Sequence, residues 1–178
     1  MAIFHVVDYH PYRKNGQINP DFQNSIESKK LLDVKDPTNT NHTAALRYYA
    51  GKLSAFLRRQ GIDLTSFDVA TVVPSSRANS YSTGLIRILI AVCNQGPPVV
   101  PDILIRHTAI QSMHSGGMRF PDVHHRSINV NRQLLPLNCR VLLLDDIVTT
   151  GVSLTACADI LIYNGATEVV CIALGQTV

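Results

Sequence analysis

The chain alternates short apolar runs with longer stretches of helical spacing, and that alternation outlines a fold. Residues 3–7 (IFHVV) read as a strand. The polar stretch to residue 41, broken by Pro11, Gly16, Pro20 and Pro37, predicts loops or an accessory segment. Over residues 42–60, Leu46, Tyr49, Leu53, Phe56 and Leu57 recur three and four apart, with Gly61 behind them. That spacing predicts a helix, with Arg47, Lys52, Arg58 and Arg59 on its solvated face. Residues 69–73 form a short apolar strand ended by Pro74, and 80–94 have helical length before Gly96-Pro97-Pro98. Residues 103–105 are again strand-like. Residues 107–125 show little periodicity and predict a long loop, and 126–130 alternate as an extended segment. A strand at 141–144, a helix at 151–164 and a strand at 169–174 complete the pattern.

Strands alternating with helices predict an α/β fold: a mostly parallel central sheet flanked by helices, with an N-terminal accessory segment. At 178 residues the chain fits one domain, divided into an accessory part (1–60) and a core (61–178). Hydrophobic residues at 46% and charged residues at 16% exclude a disordered chain. No apolar run approaches the roughly 18–20 residues of a membrane span. The start MAIFHVVDYHPYR lacks a basic end followed by an apolar stretch, so no secretory signal is expected and the predicted location is cytoplasmic. Cys93, Cys139, Cys157 and Cys171 are scattered without a CxxC pair, as buried thiols would be.

Charge adds an asymmetry. Residues 1–60 carry nine Lys/Arg and five Asp/Glu, whereas residues 61–178 carry seven and eight. All five lysines (Lys14, Lys29, Lys30, Lys35, Lys52) lie in the first 52 positions. Phosphate recognition in the remainder is therefore expected to use arginine, amides, hydroxyls or a metal, and a Walker A or Schiff-base lysine is excluded there.

The chemistry concentrates at two strand ends, where parallel sheets bind ligands. In VLLLDDIVTTGVSLT (141–155) an apolar strand runs into Asp145-Asp146, then into a hydroxyl- and glycine-bearing loop that opens a helix. Helix N-terminal amides favour a phosphate, and Thr149, Thr150 and Ser153 can add donors. Gly151 lets the backbone approach, and two carboxylates suit a vicinal diol near Mg²⁺. A plain helix cap, with Thr150 capping and Asp146 complementing the dipole, does not require two acids.

This run resembles the signature of type I phosphoribosyltransferases, which bind phosphoribosyl pyrophosphate (PRPP). The resemblance covers about residues 69–175. It implies that Asp145 and Asp146 are the catalytic pair holding the ribose 2′- and 3′-hydroxyls. Thr149, Thr150, Gly151, Val152 and Ser153 would bind the 5′-phosphate, with Mg²⁺ bridging sugar and pyrophosphate. Ser75, Ser76 and Arg77, after the 69–73 strand, occupy the place of the family's pyrophosphate loop. Arg106, Gln111, Arg126 and Asn129 are similar to positions of the competence-protein-F-like branch. Arg106, Arg119 and Arg126 are the candidates for a flap over pyrophosphate. That branch's cysteine-rich zinc module is absent, and its RGFNQ-like segment is replaced by RANSYSTG (77–84).

His107, His114, His124 and His125 fall in the predicted loop without the spacing of a metal site, and one of them could act as acid or base near the anomeric carbon. Hypoxanthine/guanine-type enzymes carry an aspartate where Thr149 stands, and orotate enzymes use lysines in this half, so the acceptor stays unidentified. Two readings follow. The first is a Mg²⁺-dependent phosphoribosyltransferase that uses PRPP and a small nitrogen acceptor and releases pyrophosphate. The second is a non-catalytic PRPP- or nucleotide-sensing regulator on the same fold, which the basic first third connects to nucleic-acid handling. A homodimer is expected; a membrane partner is not, and a nucleic-acid partner belongs to the second reading only.

Overall fold

A computed structural model describes residues 2–110 and 121–178. In chain order the elements are β1 (Ile3–Tyr9), a hairpin of β2 (Arg13–Lys14) and β3 (Gln17–Ile18), α1 (Pro20–Asn24), α2 (Ile26–Lys35), α3 (His42–Gln60) and β4 (Val69–Val72). There follow α4 (Thr83–Val92), β5 (Leu104–Arg106), α5 (Pro121–Ser127), β6 (Ile128–Val130), β7 (Arg140–Val148), α6 (Val152–Tyr163) and β8 (Glu168–Thr177). Four strands form a parallel sheet in the order β1-β8-β7-β4. A parallel bridge from Ala70 to Val99 extends it, and β5 and β6 pair antiparallel beside it. The predicted α/β architecture is present.

Strand alternation divides the apolar residues between two cores. On one face Leu142, Leu144, Ile172 and Leu174 meet α2, α3 and α4. On the other, Val141, Leu143, Cys171 and Ala173 meet α6 and the β5–β6 hairpin. Helix α3 has the predicted bounds, because Leu46, Tyr49, Leu53, Phe56 and Leu57 make one buried stripe. Gly61 closes it in a left-handed conformation, its amide donating to the Arg58 and Leu57 carbonyls. Burying each of these side chains stabilises the fold by about 1.5–3 kcal/mol. On the outer face, Arg47, Arg58 and Arg59 are exposed and Lys52 reaches Glu27 at 3.3 Å.

The segment predicted as loops contains α1 and α2. Ser25 caps α2 by accepting from the Ser28 amide, and Leu31 and Val34 are buried. With so few buried apolar positions in ten residues, its periodicity is faint in the sequence. The segment is part of the sheet domain: β1 pairs with β8 from Ile3 to Tyr9, and α2 and α3 supply one core. The 107–125 loop also differs, since residues 121–127 are helical and the strand starts only at Ile128. Strands β7 and β8 extend four and three residues further than their apolar runs, through Asp145-Asp146 and Gly175-Gln176-Thr177. Backbone pairing continues there because Asp145 still lies opposite Ala173, and Ile147 opposite Gly175. Among the described residues, no helix is long and apolar enough to cross a membrane.

Candidate active site

The carboxyl ends of β7, β8, β4 and β1 open into one cavity of about 450 Å³. Asp145, Asp146 and residues 147–154 form its floor and one wall, and Ser75 and Ser76 stand opposite. Two strand ends far apart in sequence thus meet, because β4 and β7 are parallel neighbours in register from Val69–Val141 to Val72–Leu144.

The two carboxylates have different surroundings. Each accepts a hydrogen bond from the next amide: Asp146 N–H to Asp145 at 2.8 Å, and Ile147 N–H to Asp146 at 2.6 Å. As β7 alternates, Asp146 falls on the side of α2, where Lys35 Nζ approaches its Oδ2 to 2.8 Å. Their side chains are 30% and 21% exposed. Desolvation works against the Lys35 ammonium, but Asp146 outweighs it and holds the pKa above the ordinary lysine value. Asp145 falls on the side of α6, where its charge helps raise the Cys157 thiol, already pushed up by burial. Burial and the Asp146 charge push Asp145 up to about 7.

The loop after β7 leaves the first-turn amides of α6 without a side-chain cap. Gly151 has φ +78° and precedes α6, and a Cβ there would also lie 2.7 Å from Ile3 Cδ1. It stands at the N-cap of α6, and no side chain there accepts from the first-turn amides. Thr150 therefore does not act as a cap, and those amides remain available to a ligand. Thr149 Oγ1 lies 2.8 Å from Thr177 Oγ1, which ties the loop to the end of β8.

The opposite loop is held by a buried arginine. Arg106, at the end of β5, is 1% exposed. Its Nε donates to the Ser75 carbonyl at 2.6 Å, its Nη1 to Ser127 Oγ at 2.5 Å and its Nη2 to His124 Nδ1 at 3.3 Å. A residue so enclosed is part of the cavity wall rather than a flap. Ser75 gives its amide to the Ser80 carbonyl, and its Oγ accepts from the Arg77 amide at 3.3 Å. Arg77 is exposed and is not among the cavity-lining residues. Arg126 is exposed on α5 and is likewise not in the lining. Arg119, Gln111 and His114 lie outside the described residues.

Among the described residues, the histidines of this group form no metal-binding cluster. His107 is exposed and bonds Thr108 at 2.9 Å, His125 is exposed, and His124 is buried. Among the described residues, no group of three metal-ligating side chains converges.

Sequence reasoning missed Lys35, Tyr9 and Thr177. All three line the cavity, and all three lie outside the residues that carry the family resemblance. Tyr9 and Thr177 are register partners at the ends of β1 and β8. The only advance sign of Lys35 was its place one residue after Val34 in the run KKLLDVK.

No protein-family model and no curated protein matches the sequence. Among solved structures, the chain is similar to glutamine PRPP amidotransferase from B. subtilis, complexed with ADP and GMP. The identity is 21% and the TM-score 0.50, over 79% of this chain and 29% of that one. It is also similar to an allosteric regulatory enzyme of purine biosynthesis, with 21% identity and a TM-score of 0.51 over 80% of this chain and 30% of that one. The chain thus spans less than a third of either protein, and what it shares with them is the type I phosphoribosyltransferase fold.

Proposed function

We propose that this chain binds PRPP and transfers its phosphoribosyl group to a small nitrogen acceptor. The observation that carries the proposal is the uncapped N-terminus of α6 standing beside two strand-end carboxylates in one cavity. A 5′-phosphate would lie on the first-turn amides with Thr149, Thr150 and Ser153 as further donors, and the ribose diol would meet Asp145 and Asp146. Pyrophosphate would face Ser75, Ser76 and the buried charge of Arg106. In the reaction the bond from C1 to the pyrophosphate oxygen breaks and a bond from C1 to nitrogen forms. The protein positions the two reactants, stabilises charge on the leaving group and excludes water.

The donor set fits Mg²⁺ only in part. Two carboxylates are hard oxygen ligands, but Lys35 already engages Asp146, and no third acid joins them among the described residues. Asp145 and Asp146 would hold Mg²⁺ together with phosphate oxygens and water, and bound Mg²⁺ supplies charge neutralisation. The spacing of Arg106, Arg126 and Asn129 supports a place near the competence-protein-F-like branch.

The experiment is thermal unfolding with PRPP and Mg²⁺. Ligand at 100 times its Kd adds about 2.7 kcal/mol, an upward Tm shift of several degrees. Asp145→Asn with Asp146→Asn removes that shift while the fold persists. No shift for the wild type at millimolar PRPP, or an undiminished shift in the double variant, sinks the proposal. Pyrophosphate release from PRPP with a metabolite pool then separates a transferase from a PRPP sensor.

A further inference from the structure

One polar chain in the cavity wall runs from the Ser75 carbonyl through Arg106 and His124 to Ser153, beyond the charge that Arg106 would present to pyrophosphate. Arg106 is among the largest fully buried side chains, and among the described residues no carboxylate pairs with it. Its three nitrogens meet a carbonyl, a hydroxyl and an imidazole, none of which carries a negative charge. A buried cation without a counter-charge is costly, so the arrangement favours an anion in the cavity it lines. The chain also continues. His124 is 2% exposed, and its Nε2 lies 3.4 Å from Ser153 Oγ in the first turn of α6.

The donor–acceptor inventory fixes the direction of every bond. A guanidinium only donates, so His124 Nδ1 must accept from Arg106 and cannot carry a proton. The imidazole proton then sits on Nε2 and points at Ser153. Burial, with the charges of Arg106 and His125 adding to it, holds the His124 pKa down at about 4, in keeping with a neutral ring. Ser153 Oγ accepts from Nε2–H, and its own O–H is left to donate to an acceptor in the cavity.

We infer that Arg106 and His124 are positioning residues that couple the two phosphate-binding loops: Arg106 anchors the Ser75 carbonyl and fixes the His124 tautomer, and His124 orients the Ser153 hydroxyl toward the ribose 5′-phosphate. This inference rests on the proposed PRPP site and extends it. Neither side chain is required to touch the reacting atoms. The coupling makes the 5′-phosphate subsite depend on a histidine that belongs to neither loop.

Two measurements test it. The first is ¹⁵N NMR of the imidazoles in the unliganded wild type, which is expected to show His124 as the Nε2–H tautomer at neutral pH. An Nδ1–H tautomer overturns the inference. The second is calorimetric titration with ribose 5-phosphate and, separately, pyrophosphate. His124→Phe keeps the ring shape but removes both ring nitrogens, and it is expected to weaken ribose 5-phosphate about tenfold. Pyrophosphate affinity changes by less than about threefold, because Arg106 still holds Ser75. His124→Gln, which can accept from Arg106 and donate to Ser153, recovers most of the loss, a rescue that a merely space-filling role would not give. Adding Ser153→Ala to His124→Phe costs little more than either change alone, since one hydroxyl is at stake in both. Additive losses, or unchanged ribose 5-phosphate affinity in His124→Phe, overturn the coupling. If His124→Phe fails to fold, the wild-type tautomer and the His124→Gln and Ser153→Ala titrations decide. A wild type that binds neither ribose 5-phosphate nor PRPP brings down the proposed function, whereas binding that ignores these substitutions brings down the coupling alone.

Discussion

At the scale of single residues, the charge of Asp145 works against stability. An aspartate in the unfolded chain has a pKa of about 3.9. In the folded protein Asp145 is pushed up to about 7 by burial and by Asp146. Between those values the folded state keeps a proton that the unfolded state has lost. Stability contributed by this group is therefore full below about pH 4, declines as pH rises to about 7 and is level above. Asp145→Asn carries no charge at any pH and should remove the decline. Urea unfolding is expected to find the variant more stable than wild type at pH 8 and little different at pH 4. Parallel stability profiles for the two proteins would refute the assignment. On the proposed function the same substitution removes the charge and one of the two acceptor oxygens offered to the ribose diol, so the gain in stability should come with a loss of PRPP binding.

At the scale of elements, α2 packs on α3 and β1 and also passes close to α4. Gly84 sits in the first turn of α4, where an added Cβ would collide with the Val34 carbonyl oxygen and press on Val34 Cγ1. Lys35, the next residue, reaches Asp146 only if α2 lies this close. Gly84→Ala is expected to destabilise by about 1–3 kcal/mol and to weaken PRPP binding as Lys35 shifts. Gly51→Ala is its control: a Cβ there meets nothing within 4 Å, and relief of a helical glycine should stabilise by roughly 0.5–1 kcal/mol. Equal effects from the two alanines in denaturant melts would contradict this account. Helices α3 and α2 mark how far the sequence could be read. Helix α3 was legible to the residue because five large apolar side chains recur on one face. The strand–acid–loop–helix unit was legible because its chemistry is continuous in the chain. Helix α2 was hidden because packing against α3, β1 and α4, and not its own periodicity, holds it. Arg106 was misplaced because three residues of strand carry almost no pattern, and only the pairing with β6 shows that it is buried.

At the scale of the whole molecule, the asymmetry of lysine takes on a structural meaning. Residues 61–178 contain no lysine, and the cavity still has one, because Lys35 crosses from the basic first third to Asp146. The PRPP signature and the N-terminal segment are therefore parts of one construction. Strand β1 covers the open side of β8 from Cys171 to Thr177, the strand end whose Thr177 ties down Thr149. Helices α2 and α3, together with α4, cover Leu142, Leu144, Ile172 and Leu174 on one face of the sheet. A chain restricted to residues 61–178 keeps every residue of the signature and loses both supports. Its sheet face then keeps only α4, the edge of β8 has no partner strand, and such surfaces associate with one another. Expressed alone, residues 61–178 are expected to give no cooperative urea transition and to aggregate, and added PRPP with Mg²⁺ should not restore one. A sigmoidal, reversible transition from that fragment would show that the signature region folds independently and that the first sixty residues only decorate it.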